Sequence, residues 1–171
     1  MRRLHVPVLC GLGLLGCNLN YRVEHLATPE IDPTLPHPDL ATICVLRPQS
    51  FGHLASFEHY DNDHLVAVSE GKKVYFCYLA RPGTHNLVAS SDNDARLGLW
   101  ANAGSRYFVR LHVNMGPDLL TPMNTDEAMA MLQELRYIRT VRATSRAAPL
   151  MRAPVPAASR APTGRAEAGL R

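Results

Sequence analysis

Apolar and polar residues alternate through most of residues 41–115, and turn residues interrupt the alternation every eight to twelve positions. A period of two places neighbouring side chains on opposite faces of a strand, so the pattern predicts an all-β sandwich or barrel. Seven strands are predicted, at residues 41–46, 55–61, 64–69, 74–79, 85–90, 97–101 and 106–115. Asn62 and Asp63 tolerate the positive backbone angles of a tight turn and join the second and third strands in a hairpin. The expected fold is a mainly β, small antiparallel β-sandwich.

The strand at residues 106–115 has the clearest alternation. Its apolar face carries five residues, which are Tyr107, Val109, Leu111, Val113 and Met115. The opposite face carries Arg106, Arg110 and His112. One face of an antiparallel sheet commonly packs on the core while the other is solvated. We therefore expect Arg106, Arg110 and His112 to be exposed, which makes them the candidate residues for binding a partner.

One C-terminal helix is predicted after this strand. Asn124 or Thr125 caps its start, and Asp126 and Glu127 suit the positive end of the helix dipole. An apolar stripe at helical spacing is expected to pack on the sheet rather than to bind a partner; it comprises Ala128, Met131, Leu132, Leu135 and Ile138. Arginines near the far end complement the negative pole of the dipole; these are Arg136, Arg139 and Arg142.

The first 17 residues have the parts of a secretory signal peptide, with Arg2 and Arg3 ahead of a short apolar stretch. That stretch ends in Leu-Leu-Gly-Cys at residues 14–17 and resembles the bacterial lipobox. The resemblance implies a signal peptide over residues 1–16 and a lipidated Cys17 that holds the protein to a membrane through its acyl chains. Asn18, rather than aspartate, follows the cysteine, which in that family favours the periplasmic face of the outer membrane. The alternative is a buried strand or helix that carries a cysteine.

The remaining cysteines depend on this assignment. Cys10 leaves with the signal peptide and Cys17 carries lipid, so Cys44 and Cys77 are left in an oxidising compartment. They form either a disulfide or two unpaired thiols that act as small core residues. The sequence does not decide between these two states.

Two extensions flank the predicted domain at residues 41–142. Residues 17–40 contain four prolines and no apolar period, which predicts a disordered tether that lifts the domain from the membrane. The alternative is a segment that packs along the domain. Residues 143–171 are rich in Ala, Pro and Arg and are predicted to be a disordered tail.

Charge is distributed unevenly behind a formal total of +3. Residues 141–171 contain six arginines and one glutamate, a net charge of +5, whereas residues 17–140 contain ten basic and fourteen acidic residues, a net charge of −4. In an exported protein a basic tail suits anionic phospholipid, lipopolysaccharide or cell-wall polymer. The alternative is an extension without a function, and a nucleic-acid partner is not expected.

Four strings together resemble a bacterial lipoprotein domain of unknown function, number twenty-eight forty-six. They are residues 41–48 (ATICVLRP), 56–58 (SFE), 82–85 (PGTH) and 103–110 (AGSRYFVR), and the resemblance covers about residues 41–138. It implies a small β-sandwich, similar to PEGA-type domains and often found behind a lipobox. Cys44, His59 and the arginine-rich tail depart from the pattern. No catalytic or binding residue carries over from it.

The chemical candidates are few. His59, Asp61 and His64 lie together in the predicted hairpin, with Asp61 opposite His64, and imidazole and carboxylate groups can bind zinc. A cross-strand ion pair is the simpler interpretation of the same residues. The chain has no Gly-x-Ser-x-Gly string and no phosphate-binding glycine loop, and no cofactor is predicted.

The sequence therefore predicts a lipid-anchored cell-envelope protein that binds a partner or has a structural role and is not an enzyme. The candidate partners are an envelope protein, lipopolysaccharide and cell-wall polymer. The alternative is a small periplasmic metal-dependent hydrolase that uses His59, Asp61 and His64.

Overall fold

The computed structural model describes residues 21–142, which form ten strands and one helix. The strands are β1 (Tyr21–Leu26), β2 (Ala41–Arg47), β3 (Phe57–Asp61), β4 (His64–Ser69), β5 (Val74–Ala80), β6 (Gly83–Ser90), β7 (Asp94–Ala101), β8 (Arg106–His112), β9 (Leu119–Met123) and β10 (Arg136–Arg142). The helix is α1 (Thr125–Leu132), between β9 and β10. The predicted mainly β fold with one helix is confirmed. Cys17 and the predicted tail at 143–171 lie outside the described residues.

The strands form two sheets. The six-stranded sheet has the order β1-β10-β5-β2-β8-β9, and the four-stranded sheet has the order β4-β3-β6-β7. All pairs in the smaller sheet are antiparallel, but β10 with β5 and β2 with β8 are parallel. The larger sheet is therefore mixed, which differs from the predicted antiparallel sandwich. Parallel neighbours are joined by long crossovers, and a period-two pattern carries no signal for them.

Apolar side chains fill both faces of the six-stranded sheet. One face meets the four-stranded sheet, with Ile43, Phe76 and Leu111 in the same cluster as Phe57 and Leu87. On the other face, α1 contributes its buried residues to a second cluster; this cluster comprises Cys44, Leu46, Tyr75, Cys77, Phe108, Ala128, Leu132 and Tyr137. Every residue of β2 is buried as a result, which explains its nearly continuous apolar sequence.

All seven predicted strands are present, with bounds that differ at their ends, and the predicted hairpin is confirmed. Asn62 and Asp63 adopt φ angles of 47° and 66° between β3 and β4. Asp61 lies opposite His64, as the sequence predicted. The three further strands are β1, β9 and β10. β9 contains Pro122 and is an edge strand, where a missing N–H is tolerated.

The helix begins as predicted and ends early. The Asn124 side chain accepts a hydrogen bond from the Glu127 N–H at 2.8 Å, and Asp126 and Glu127 occupy the first turn. The helix ends at Leu132, so the prediction that it reaches Ile138 is wrong. The next residues enter β10 (sequence RYIRTVR), where aromatic and β-branched side chains favour a strand. The three arginines predicted at the end of the helix belong to β10 instead; they are Arg136, Arg139 and Arg142. The last turn of α1 contains no basic residue, so the predicted interaction with the helix dipole is wrong.

The segment before β2 packs along the domain, so the predicted tether over residues 17–40 is wrong for its described part. β1 pairs with β10 along its full length. Arg139 on β10 makes salt bridges with Glu24 and Glu30, which hold β1 and the following loop to the sheet. The alternative interpretation, in which this segment packs along the domain, is therefore correct for the described residues.

Candidate functional site

The Cys44 and Cys77 side chains form a disulfide between two central strands. The two residues lie directly opposite each other on β2 and β5, with Cα atoms 4.1 Å apart and the sulfur atoms bonded. Both are buried, in the cluster that α1 covers. Of the two states that the sequence allowed, the structure contains the disulfide.

The polar residues of β8 are not an open surface. Arg106 donates hydrogen bonds to the carbonyls of Pro33 and Thr34 at 3.3 and 2.9 Å. Arg110 lies 3.8 Å from Glu127 on α1.

His112 on the same face bonds through Nε2 to Thr121 on β9, at 2.9 Å. Burial, together with Arg110, lowers the pKa of His112. The N-terminal segment, the helix and β9 therefore each engage one of the three predicted partner-binding residues. Phe108, which lies among them in the same alternation and is buried, is the sequence signal that this face is covered.

The candidate metal residues point to different neighbours. His59 bonds through Nε2 to the Ser69 hydroxyl at 2.8 Å, and Asp61 bonds to His85 rather than to His64, which is exposed. Across residues 21–142, no group of three His, Cys, Asp or Glu side chains is arranged to hold a metal ion. The structure therefore does not bring His59, Asp61 and His64 together as ligands.

Asp61, His85 and Tyr78 form a buried polar network between the two sheets. His85 Nδ1 lies 2.8 and 2.7 Å from the two carboxylate oxygens of Asp61, and its Nε2 lies 2.8 Å from the carbonyl oxygen of Arg81. The carbonyl oxygen of Arg81 can only accept, so Nε2 of His85 is the donor in that contact. Tyr78 from the facing sheet donates to Asp61 at 3.1 Å, and burial beside that carboxylate raises the pKa of Tyr78.

Arg47 is buried in the sandwich interior with 1% of its surface exposed. Its guanidinium donates to the carbonyls of Gly52, Ala55 (3.0 Å) and Ser69 (3.3 Å) and lies 4.8 Å from the centre of the Phe57 ring. Burial lowers the pKa of Arg47. Buried charges need such partners because desolvation is costly. Arg47 therefore fixes the loop after β2 and the end of β4.

His59 is the second buried titratable group in this region. Its ring packs at 4.8 Å from the Phe76 ring. Burial, and secondarily the charge on Arg47, lower its pKa to about 3, so the ring is neutral near pH 7. A neutral, fully buried imidazole that bonds to Ser69 is a core residue.

The outer face of the four-stranded sheet is the open one, and we define it by Tyr60, Asn86, Arg96, Gly98 and Trp100. Cross-strand register places Asn86 beside Gly98 and Tyr60 in line with Arg96. Trp100 is 65% exposed, and apart from Gly98 itself and its two chain neighbours no described residue has an atom within 4 Å of the position that a Cβ would take at Gly98. A depression of about 220 Å³ is lined by Tyr60, Asp63, Val88, Ser90, Asp94 and Arg96.

Sequence reasoning missed Arg47, His85 and the outer face for different reasons. Arg47 continues the inward alternation of Ala41, Ile43 and Val45, and this was the available signal for its burial. His85 lies outside the predicted hairpin, and only the pairing of β3 with β6 brings it to Asp61. The outer face of the four-stranded sheet was missed because it exists only once β3 pairs with β6, and that pairing is not local in sequence.

Comparison with known proteins gives no matching family model, no matching curated protein and no matching solved structure. No helix in residues 21–142 combines the length and apolar character needed to cross a membrane.

Proposed function

We propose that this chain is an exported, lipid-anchored cell-envelope protein whose β-sandwich is a non-catalytic binding or structural module. The Cys44–Cys77 disulfide is the observation that carries the proposal, because disulfides persist in oxidising compartments outside the cytosol. In such a compartment the lipobox-like string that ends at Cys17 would direct acylation of Cys17, and the acyl chains would hold the protein to the membrane. The periplasmic face of the outer membrane is the proposed location.

The environments of His59, His85 and His112 support a non-catalytic role. A general base needs a nitrogen that can reach the proton it removes. Both ring nitrogens of His85 are engaged within the protein, Nε2 of His112 bonds to Thr121, and His59 is buried with a strongly lowered pKa. These groups stabilise the fold, and the proposed binding role therefore falls to the surface.

We assign partner binding to the outer face, with an envelope protein as the partner. Tyrosine, tryptophan and arginine are the residue types that most often dominate protein interfaces, and this face exposes Trp100 and Arg96 beside Tyr60. The predicted binding residues on β8 are half-buried and bonded to other parts of the domain, so the binding role is assigned to the outer face instead.

Acylation is tested by growing cells with a clickable fatty acid and comparing the wild type with Cys17→Ser. We expect label on the wild type and loss of label from Cys17→Ser. Cys10→Ser is the matched control, because Cys10 lies within the predicted signal peptide and its replacement leaves Cys17 intact. An unlabelled wild type, or label retained in Cys17→Ser, refutes the anchor.

The binding face is tested by placing a photo-crosslinking amino acid at Gly98 in intact cells. A side chain fits there because, apart from the two chain neighbours, no described residue has an atom within 4 Å of the position of a Cβ at Gly98. The control position is His112, whose side chain contacts β9. We expect a discrete adduct from position 98 and none from position 112. Equal yields, or no adduct from position 98, contradict the assignment to the outer face.

A further inference from the structure

Strand β7 is an open edge of the four-stranded sheet. Its residues pair with β6 on one side, and no strand follows it in the order β4-β3-β6-β7. Alternate backbone N–H and C=O groups of an edge strand point away from its neighbour. Cα atoms of β9 in the facing sheet come within 8 Å of β7, but within residues 21–142 the backbone of β7 bonds to no backbone other than that of β6. The outward groups of β7 are therefore available to pair with another strand.

The other edges of the two sheets are less suited to strand addition. β9 has five residues and contains Pro122, which has no N–H to donate. On β4 the Thr140 hydroxyl accepts a hydrogen bond from the Val68 N–H at 2.7 Å and lies 3.3 Å from the Val68 carbonyl oxygen. β1 and β4 have six residues each, whereas β7 has eight and contains neither proline nor lysine. Short strands, proline and lysine are common protection for a sheet edge, so β7 is the least protected edge in residues 21–142.

The sequence of β7 is nearly symmetric about Gly98. Residues 95–101 read ARLGLWA, so the two sides of Gly98 differ only at Arg96 and Trp100. When two copies of β7 pair antiparallel about a twofold axis at Gly98, each residue faces the residue at the mirrored position of the string. This register sets alanine against alanine and leucine against leucine on the core side; the pairs are Ala95 with Ala101 and Leu97 with Leu99.

Both faces of such a pair are complementary. On the core side, Leu97 and Leu99 are only half-buried although they pack on the sandwich core, and a further strand would cover them. On the outer face, Arg96 of one copy would lie opposite Trp100 of the other, and both side chains are exposed in the single chain. A guanidinium group is attracted to the face of an indole ring. The twofold axis produces this contact twice.

Neighbouring registers lack this match. A shift by two residues puts Gly98 opposite Arg96 or Trp100 and sets a leucine against an alanine on the core side. A shift by one residue sets the outer face of one copy against the core face of the other. In the register centred on Gly98, Asp94 lies opposite the uncharged Asn102, so no like charges are opposed.

We propose that β7 pairs antiparallel with β7 of a second copy of this chain, about a twofold axis at Gly98. The two four-stranded sheets then form one continuous eight-stranded sheet, and their outer faces form one surface. The inference rests on the proposed function, because it identifies the second copy as the envelope protein that meets this face.

Disulfide crosslinking of engineered cysteines in the purified full chain tests the pairing. Cys10→Ser and Cys17→Ser leave the engineered cysteine as the only thiol besides the native disulfide. The two Gly98 positions would have Cα atoms about 5 Å apart, so oxidised Gly98→Cys should run at twice the chain mass. The matched control is Asn86→Cys, which is exposed on the same face but would lie three strand spacings, about 14 Å, from its equivalent. A disulfide needs Cα atoms within about 7 Å, so the dimer yield of Gly98→Cys should be at least about tenfold higher.

A mixture of Arg96→Cys with Trp100→Cys, prepared before oxidation, tests the register. Two copies of the same variant would place their thiols four residues apart along the strands, or about 13 Å, which is too far for a disulfide. In the mixture, position 96 of one copy lies opposite position 100 of the other, and the second Arg–Trp pair is retained. The mixture should therefore form at least about tenfold more dimer than either variant alone.

Equal dimer yields from Gly98→Cys and Asn86→Cys, or a mixture that crosslinks no better than its two components, would overturn the inference. The mass of the photo-crosslinked adduct from position 98 in intact cells separates this failure from failure of the proposed function. An adduct of twice the chain mass supports the pairing of two copies. An adduct of any other mass refutes the second copy as the partner and retains the outer face as the binding face, whereas the absence of an adduct refutes both.

Discussion

Loss of the Cys44–Cys77 disulfide should destabilise the β-sandwich by about 4 kcal/mol. The two cysteines are 33 residues apart, and the entropy of closing a loop of that length in the unfolded chain gives this magnitude. For a domain of this size the loss corresponds to a fall in Tm of roughly 15 °C. Urea unfolding of the wild type, with and without reductant throughout the titration, measures the difference.

The control for this experiment is the double variant Cys44→Ala/Cys77→Ala. It should unfold at the lower midpoint of the reduced wild type, and reductant should not change that midpoint. If the wild type unfolds at the same urea concentration with and without reductant, the bond does not constrain the chain in solution. That result would also remove the main support for an oxidising compartment.

Three further predictions concern buried or capping side chains. The pKa of His59 is about 3 in the folded protein and 6.5 in the unfolded chain, so the free energy of unfolding should fall by about 1.4 kcal/mol for each pH unit below 6.5. His59→Gln should flatten this slope in urea titrations, and an unchanged slope would contradict the burial of a neutral His59. Arg47→Met should cost about 3 kcal/mol or more, because it removes the donor to three carbonyls, and a wild-type Tm would refute this role. Asn124→Ala should cost about 1 kcal/mol by denaturant unfolding, with Thr125→Ala as the neighbouring control; equal losses would contradict capping by Asn124.

Local patterns predicted the parts of the fold that local interactions determine. The hairpin at Asn62-Asp63 needs only residues that accept positive φ, and the Asn124 cap needs only a side chain three residues from its donor. β10 was missed because Leu135 and Ile138 continue the helical spacing by coincidence. Its strand state depends on pairing with β1 and β5, which lie far away in the chain.

The candidate site was less predictable than the fold because each contact in it is non-local. Alternation placed Arg106 and His112 on one face of β8 correctly, but it could not show that the N-terminal segment and β9 cover that face. Counting cysteines left Cys44 and Cys77 as either a disulfide or two free thiols, and only the register of β2 against β5 shows that they lie opposite each other. The opposite faces of a strand can be assigned from sequence, whereas the element that packs on each face cannot.

The most direct test of the account is the mass of the N-terminal peptide of the protein isolated from its native cells. The account predicts a mature chain that starts at Cys17 and carries acyl groups there, in a protein whose Cys44 and Cys77 resist alkylation until they are reduced. A chain that still begins at Met1, with an alkylatable thiol at Cys17, would contradict the proposed anchor and location.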